Sequence, residues 1–279
     1  MTITRFAPSP SGVLHAGHAL AAWVAWEEAQ RDGGQFLLRI EDIDQTRCRR
    51  EFETLLKEDL AWLGLSWPEP ARRQSEHLDA YAAALGRLRG LGVVYPCFCT
   101  RADIQREIAA AAHAPHGPEG PLYPGTCRRL GEAERARALE AGHTCAWRLD
   151  VEKAKALAGP LEWLDRRHGR HTAAPEILGD AVLARKDIAT SYHLAVVVDD
   201  AAQDVTLVTR GEDLLPCTHL HRLLQHLLGL PVPEWHHHAL VRDAAGRRLA
   251  KRDESESLRA LREKGVTPQE LRQRLAAFA

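Results

Sequence analysis

Two histidines, His15 and His18, stand three residues apart where an alternating N-terminal segment gives way to a helical pattern. Residues at this spacing share one side of a helical turn. Their imidazoles can donate hydrogen bonds to a phosphate whose negative charge is rising, and the start of a helix favours an anion as well. Gly17, between them, lets a ligand approach the backbone closely. The pattern predicts a phosphate site, and the alternative is a helix start with solvated histidines.

A basic run near the other end of the chain, Gly246 to Asp253, offers a second set of groups for phosphate. Arginine and lysine hold phosphate oxygens through charge-assisted hydrogen bonds. The run can therefore bind the phosphates of ATP or of its pyrophosphate product. A solvated basic turn is the plainer alternative.

Three of the six cysteines, Cys97, Cys99 and Cys127, lie close enough in sequence to share a metal ion. Three thiolates suggest a structural zinc site, which needs four ligands in a tetrahedron. His113 and His116 lie between the two halves of the cluster and can supply the fourth ligand. The alternative is three reduced, buried cysteines without a metal. The remaining cysteines are scattered, and no disulfide framework is expected.

The elements that must position the two histidines form a strand, helix, strand unit. Thr2 to Ala7 alternates and runs into a turn rich in proline and glycine, Ala16 to Gln30 has helical spacing, and Gln35 to Ile40 predicts a second strand. We expect Glu27 and Glu28 to face solvent. Such a unit belongs to a parallel sheet, whose ligands bind at the carboxyl ends of the strands.

The rest of the pattern predicts further helices and strands. Helices are predicted over Arg49 to Leu63, His77 to Leu91, Glu212 to Leu228 and Thr267 to Phe278. Strands are predicted over Cys145 to Val151, Leu194 to Val198 and Val205 to Val208, the last two flanking an Asp199-Asp200 turn. Short apolar runs of this kind are ambiguous between strand and buried helix.

Four blocks, in order along the chain, resemble the glutamyl-tRNA synthetases of the class I aminoacyl-tRNA synthetase family. Arg5 to His18 is similar to the N-terminal signature of that family, and its last four residues match the HIGH motif. Arg248 to Arg252 resembles a degraded KMSKS loop in which Lys251 keeps the second lysine. Arg39 to Arg47 and Arg210 to Leu215 resemble two further blocks.

The resemblance implies an α/β fold, the Rossmann-type parallel sheet of class I synthetases, with a zinc-bearing insertion and a short helical C-terminal region. Residues 1–96 and 181–232 would be the two halves of the catalytic domain, and 97–180 the insertion with the zinc site. Residues 233–279 would hold the KMSKS-like loop and the helical end. Because only residues 252–279 follow Lys251, no anticodon-binding domain is expected.

The resemblance also implies the roles of individual residues. The catalytic residues would be His15, His18 and Lys251, and these would bind ATP together with Gly17. The glutamate-binding residues would be Arg5, Phe6, Ala7, Pro8, Ser9, Glu41, Tyr192 and Arg210. The two arginines suit carboxylates, Glu41 suits the ammonium group, and Tyr192 can wall the pocket. Similarity to truncated relatives implies Cys97, Cys99, Tyr123 and Cys127 as the zinc ligands, in place of His113 or His116.

Within the family, the chain looks like the truncated paralogues that attach glutamate to queuosine, the modified base at the wobble position of tRNA(Asp). The expected partners are ATP with Mg²⁺, L-glutamate and tRNA(Asp) carrying queuosine, with one structural Zn²⁺ per chain. Three alternatives stay open. They are a truncated enzyme charging the 3′ end of tRNA(Glu), a glutamate adenylyltransferase with a small acceptor, and a non-catalytic RNA-binding paralogue.

The composition of the 279 residues limits the fold and function classes that are possible. Hydrophobic residues make up 45% and charged residues 27%, as in globular proteins with a sizeable core. The formal net charge of −1 gives no support to nucleic-acid binding through overall charge, so any tRNA surface must be local. No signal peptide and no membrane span is apparent. We therefore expect a cytoplasmic monomer that does not associate with a membrane.

Overall fold

The computed structural model describes residues 1–110, 116–118, 120–241 and 256–278. Its strands are β1 (Ile3–Phe6), β2 (Gln35–Ile40), β3 (Arg72–Arg73), β4 (Val94–Cys97), β5 (His116–Gly117), β6 (Gly120–Pro121), β7 (Ala146–Leu149), β8 (Glu162–Asp165), β9 (Gly169–Thr172), β10 (Val182–Ala184), β11 (Leu207–Gly211) and β12 (Glu234–His238). Its α-helices are α1 (Ala16–Gln30), α2 (Arg50–Trp62), α3 (Leu78–Gly90), α4 (Arg101–Ala110), α5 (Glu132–Glu140), α6 (Val151–Ala158), α7 (Tyr192–Ala202), α8 (Leu215–Leu228), α9 (Leu258–Glu263) and α10 (Pro268–Leu275).

A parallel sheet forms the centre of the fold. Strand β1 pairs with β2, and β2 pairs with β3, all parallel. On the other side of β1, the backbone N–H of Thr206 donates to the carbonyl of Ile3 at 3.0 Å, which places β11 beside β1. Strand β11 pairs with β12, and β12 with β8, again parallel. The chain therefore leaves β1 toward β2 on one side and returns with β11 on the other.

The predicted β1–α1–β2 unit is confirmed, but one glutamate of its helix is not in solvent. Helix α1 packs against β1, β2 and β11 and is buried around most of its circumference. Glu28 is 2% exposed, and its carboxylate pairs with Arg166 at 2.9 Å and lies 3.0 Å from Nδ1 of His236. The expectation that Glu28 faces solvent was wrong because its partners, in β12 and in the turn after β8, lie far along the chain and could not be read from the local pattern.

The segment predicted as a strand over Leu194 to Val198 is part of a helix. Helix α7 runs from Tyr192 to Ala202 and packs against α3 and α8. Its apolar residues are buried on all sides, and a uniformly buried run carries no period that separates strand from helix. Asp199 and Asp200, predicted to form a turn, lie inside this helix and are buried.

The region around the cysteines is built on a three-stranded antiparallel sheet with the order β10-β7-β4. The strand predicted over Cys145 to Val151 is confirmed at its centre by β7, while Val151 already begins α6. Strand β8, inside residues 97–180, joins the parallel sheet through β12. The predicted insertion and the predicted catalytic halves thus contribute strands to the same sheets. The boundaries at residues 97 and 180 stay a prediction.

The C-terminal helices return to the first helix. Thr267 caps α10 as predicted, accepting the N–H of Glu270 at 3.2 Å. Leu258 and Leu271 are buried in the same apolar cluster as α1. Among the helices that the structure describes, none has both the length and the apolar character needed to cross a bilayer.

Candidate active site

A cavity of about 580 Å³ opens at the carboxyl ends of β1, β2, β11 and β12. It lies where the strand order reverses on either side of β1, which is where open parallel sheets bind their ligands. Its volume falls within the usual range for small-molecule sites, roughly 300–1,000 Å³. Every predicted glutamate- or ATP-binding residue that the structure describes lines it: Arg5, Phe6, Ala7, Pro8, Ser9, His15, Gly17, His18, Glu41, Tyr192 and Arg210.

The two histidines form the N-terminal cap of α1. His15 Nδ1 accepts the backbone N–H of Gly17 at 3.1 Å, and His18 Nδ1 accepts the backbone N–H of His15 at 3.2 Å. Because each Nδ1 accepts a hydrogen bond, the neutral rings carry their hydrogen on Nε2. Each imidazole is therefore a donor at Nε2, as binding of a phosphate oxygen requires. A Cβ on residue 17 would lie 3.1 Å from the His15 ring, so a larger residue there would require the ring to shift by a few tenths of an ångström.

Lys251, the predicted catalytic lysine, lies outside the described residues, as does the rest of the KMSKS-like run. The described residues on either side of that run are at the cavity. Val241 lines the cavity wall, and Ser257 forms a β-bridge with His15. Val241 therefore lies at the cavity and Ser257 beside the α1 cap.

Arg210, at the end of β11, is a buried cation with neutral partners. It is 5% exposed. Its Nε donates to His237 Nε2 at 3.0 Å, and its Nη1 donates to the Tyr192 hydroxyl at 3.2 Å. Its Nη2 donates to the Thr218 hydroxyl, at 2.6 Å, and Nη1 also lies 3.3 Å from His221 Nδ1. Within the part of the chain that the structure describes, no carboxylate lies within ion-pair distance of this guanidinium.

Arg5 is held differently, by a buried aspartate of α7. Arg5 Nε donates to Asp200 Oδ1 at 2.9 Å, and Nη1 donates to the carbonyl of Thr209 at 3.2 Å. Asp200 also accepts Nη2 of the fully buried Arg39 at 2.8 Å. Burial alone would raise the pKa of Asp200, but Arg5 and Arg39 outweigh it and hold the pKa below its usual value. The guanidinium of Arg5 is therefore fixed in orientation at the cavity wall.

Glu41, directly after β2, faces the same cavity. Its backbone N–H donates to the carbonyl of Pro8 at 3.0 Å, which ties it to the turn after β1. Burial raises the pKa of the Glu41 carboxyl to about 7, although Arg39 and Arg5 act in the opposite direction. The side chain is still 12% exposed, so a ligand in the cavity can reach it. Glu41 Oε1 lies 3.5 Å from Nη2 of Arg39, and because the Arg39 side chain is fully buried, this contact is not a surface ion pair.

Comparison with known proteins assigns this architecture. The family described as tRNA synthetases class I (E and Q), catalytic domain, matches residues 1–278. A protein of Rhodobacter capsulatus named glutamyl-Q tRNA(Asp) synthetase is 50% identical over 275 residues, covering 97% of this chain and 98% of that protein. A protein of the same name from Nocardia farcinica is 45% identical over 267 residues, covering 96% of this chain and 81% of that protein.

The chain belongs to the class I glutamyl- and glutaminyl-tRNA synthetase family. It is a ligase-type, aminoacyl-tRNA-synthetase-like enzyme, and its resemblance to the glutamyl-queuosine branch is confirmed. A glutamate tRNA ligase from Elizabethkingia meningosepticum, solved in complex with its amino acid, aligns with a TM-score of 0.75 at 30% identity. That alignment covers 90% of this chain and 52% of the ligase, so the chain spans about half the length of that enzyme.

The synthetase site contains residues that the sequence did not single out. Asp199 and Asp200 of α7 organise the arginines beside the cavity, and Asp199 Oδ2 accepts the Tyr81 hydroxyl at 2.8 Å. His221 and His237 surround Arg210, and burial is the main reason that the pKa of each is lowered, to about 4 for His237. The run of three histidines from position 236 was visible in the sequence, but nothing local showed which of them would contact an arginine.

The cysteine cluster of the synthetase lies where β4 ends and the chain returns before α5. The Sγ atoms of Cys97, Cys99 and Cys127 lie within 4.8 Å of one another and can hold a metal ion. The Tyr123 hydroxyl is 3.4 Å from Cys97 Sγ and 3.5 Å from Cys99 Sγ. His113 lies outside the described residues, and His116 belongs to β5. None of the six cysteines, all of which lie among the described residues, forms a disulfide.

Proposed function

We propose that this chain activates glutamate with ATP and transfers it to the queuosine base at the wobble position of tRNA(Asp). The observation that carries the first half is Arg210, a buried guanidinium whose described partners are neutral. A buried cation is costly unless an anion compensates it. A glutamate carboxylate in the cavity supplies that anion, and the guanidinium geometry suits bidentate binding.

The remaining groups fit the other parts of glutamate. Arg5, at the end of β1, offers a second fixed guanidinium for a carboxylate. Glu41 offers the anion for the α-ammonium group, and Tyr192 supplies a hydroxyl beside Arg210. Phe6, Ala7, Pro8 and Ser9 also line the cavity. Two cationic positions and one anionic position match an amino acid with two carboxylates.

The activation step needs positioning and charge stabilisation in place of an enzyme nucleophile. A carboxylate oxygen of glutamate forms a bond to the α-phosphorus of ATP, the bond to the β-phosphate oxygen breaks, and pyrophosphate leaves with the electron pair. His15 and His18 donate from Nε2 to the phosphate oxygens, and Gly17 permits their approach to the helix start. Lys251 would stabilise the leaving pyrophosphate. ATP arrives as its Mg²⁺ complex, which neutralises part of the phosphate charge.

The acceptor is proposed from the relatives. The relatives from Rhodobacter capsulatus and Nocardia farcinica, both named glutamyl-Q tRNA(Asp) synthetase, align over 97% and 96% of this chain. Queuosine carries a cyclopentene diol, and one of its hydroxyls can attack the glutamyl-adenylate carbonyl as a terminal ribose hydroxyl would. An ester bond forms, the bond to phosphate breaks, and AMP leaves.

The test compares tRNA(Asp) with and without queuosine, using labelled glutamate and ATP. We expect label only on the queuosine-containing tRNA. Periodate cleaves vicinal diols, so glutamylation should protect the queuosine diol and leave the 3′ terminus sensitive. Label on the 3′ end of tRNA(Glu), or on tRNA(Asp) lacking queuosine, would support the truncated charging enzyme instead. Absence of glutamate-dependent ATP–pyrophosphate exchange would support a non-catalytic paralogue.

The zinc part of the proposal rests on the shape of the cysteine cluster. A tetrahedron with metal–sulfur bonds of ~2.3 Å has edges of about 3.8 Å. The contacts of 3.4 Å between Cys99 and Cys127 and of 3.4 Å between Cys97 and Tyr123 are close to such edges. Cys127 Sγ also accepts the N–H of Phe98 at 3.3 Å, a contact typical of a metal-bound thiolate. We propose Cys97, Cys99, Tyr123 and Cys127 as ligands of one structural Zn²⁺.

Freshly purified protein is expected to contain about one zinc per chain. Tyr123→Phe should release it to a chelator at least ~10-fold more readily, since loss of even an outer-shell partner can cost that much. Tyr95→Phe is the matched control, because Tyr95 packs in the same cluster but its hydroxyl donates to Asp180. The ligand set would be wrong if Tyr123→Phe kept its zinc while a His113 or His116 variant lost it.

Glu41 predicts a pH dependence of glutamate use. Its pKa of about 7 means that the carboxyl is largely neutral below that pH and ionised above it. Only the ionised form attracts the ammonium group, so kcat/KM for glutamate in ATP–pyrophosphate exchange should rise with pH through about 7. Glu41→Gln should lower the plateau and remove this rise. A flat profile in the unmodified protein, or the same rise in Glu41→Gln, would contradict the assignment.

A further inference from the structure

A line of hydrogen bonds joins Arg210 to a fully buried aspartate. Arg210 Nε donates to His237 Nε2 at 3.0 Å, and His237 Nδ1 lies 2.6 Å from Asp165 Oδ2. The side chains of His237 and Asp165 are both 0% exposed. Neither is among the described residues that line the active-site cavity. The neighbouring strands β8 and β12 bring them together, with Asp165 opposite Trp235.

These contacts determine which nitrogen of His237 carries the hydrogen. An arginine Nε–H can only donate, so His237 Nε2 must accept and carries no hydrogen. Nδ1 is then the N–H group, and it donates to the Asp165 carboxylate. Oδ2 of Asp165 also accepts the backbone N–H of His237 at 3.2 Å. Asp165 Oδ1 is occupied by the backbone N–H groups of Arg167 and His168, at 2.9 and 2.8 Å.

We propose that Asp165 and His237 are positioning residues for Arg210. Asp165 selects the His237 tautomer with a bare Nε2, and that nitrogen holds the guanidinium in the orientation that binds the substrate carboxylate. The inference rests on the proposed function, in which Arg210 binds glutamate. It adds two residues that act only through Arg210 and do not touch the substrate.

Asp165→Asn tests the tautomer directly. The N–H groups of Arg167 and His168 hold the amide oxygen at the Oδ1 position, so the amide nitrogen faces His237. His237 Nδ1 must then accept, its hydrogen moves to Nε2, and two N–H groups face each other between His237 and Arg210. We expect KM for glutamate in ATP–pyrophosphate exchange to rise about 10- to 100-fold, the scale of a displaced binding group. KM for ATP should stay unchanged.

Two amide variants of His237 test the roles of its two ring nitrogens separately. The carbonyl of His237→Gln can reach the Nε2 position and accept from Arg210, so KM for glutamate should stay within about 3-fold of the unmodified value. His237→Asn reaches only the Nδ1 position, serves Asp165 and leaves Arg210 without its acceptor, so KM should rise like that of Asp165→Asn. In the His237→Gln background, Asp165→Asn should have little further effect, because no ring tautomer remains to be changed.

Asp180→Asn is the matched control, since Asp180 is also buried and hydrogen-bonded but does not contact Arg210. It should leave KM for glutamate unchanged even if it lowers the melting temperature. Equal KM increases in the two His237 variants, or a normal KM in Asp165→Asn, would overturn the positioning role. If Asp165→Asn does not fold, the His237 pair decides. An unchanged KM in Arg210→Gln would instead overturn the proposed function.

Discussion

Arg210→Gln is expected to lower kcat/KM for glutamate in ATP–pyrophosphate exchange by roughly 10²- to 10³-fold. Truncating one partner of a buried, hydrogen-bonded charge pair costs between about 2 and 5 kcal/mol, and each 1.4 kcal/mol is about a factor of ten. Arg210 would be the buried cation of such a pair, with the glutamate carboxylate as its anion. It is 5% exposed and donates to neutral groups of the protein. The loss should appear mainly in KM for glutamate, with KM for ATP little changed.

The same site should reject glutamine. An amide in place of the side-chain carboxylate would leave a buried guanidinium without a counter-charge, a type of mismatch that specific sites reject strongly. Arg222→Gln is the control, since its guanidinium donates to the carbonyl of Glu162 at 2.9 Å and does not line the cavity. Equal exchange with glutamine and glutamate would contradict the assignment of Arg5 and Arg210 to the two carboxylates, and a normal KM in Arg210→Gln would remove Arg210 from carboxylate recognition.

His18→Asn should lower kcat of the exchange reaction about 10²- to 10³-fold, the scale of a removed transition-state donor. The asparagine oxygen can take the place of Nδ1 and accept the N–H of His15, so the cap of α1 is kept. The donor at Nε2 is lost because asparagine is too short to reach that position. KM for glutamate should change little, since the glutamate-binding groups are untouched.

Because the cap of α1 is kept, His18→Asn should have a melting temperature close to that of the unmodified protein. This measurement separates a loss of catalysis from a loss of folding. His77→Asn is the matched control. His77 caps α3 without a side-chain hydrogen bond and lies outside the cavity. Full activity in His18→Asn would show that the imidazole serves only the cap, and a proportional loss in His77→Asn would point to a general structural effect.

The turn that carries His15 and His18 could be predicted from the sequence because its hydrogen bonds join residues that are close together in the chain. The strand, the glycine-containing turn and α1 lie within the first 30 residues, and α1 begins at Ala16 and ends at Gln30 as predicted. His15 accepts the backbone N–H of Gly17, two residues further on, and His18 accepts the backbone N–H of His15, three residues earlier. Contacts of that range follow from helix geometry and residue type alone.

Helix α7 shows where such reasoning fails. The apolar residues of α7 are equally compatible with a buried strand and with a buried helix. Only their packing against α3 and α8 favours the helix. The helix matters for the site because it brings Asp200 into contact with Arg5, which is 195 positions away in the sequence.

The sequence by itself determined the family, the cavity residues that belong to its motifs and the three thiols of the cysteine cluster, since each is a matter of residue type and spacing. The tertiary structure decided how these groups behave. The raised pKa of Glu41, the neutral surroundings of Arg210 and the tautomer of His237 all depend on burial and on partners from distant strands. Desolvation and long-range hydrogen bonds set these properties, and neither is present in a linear chain before it folds.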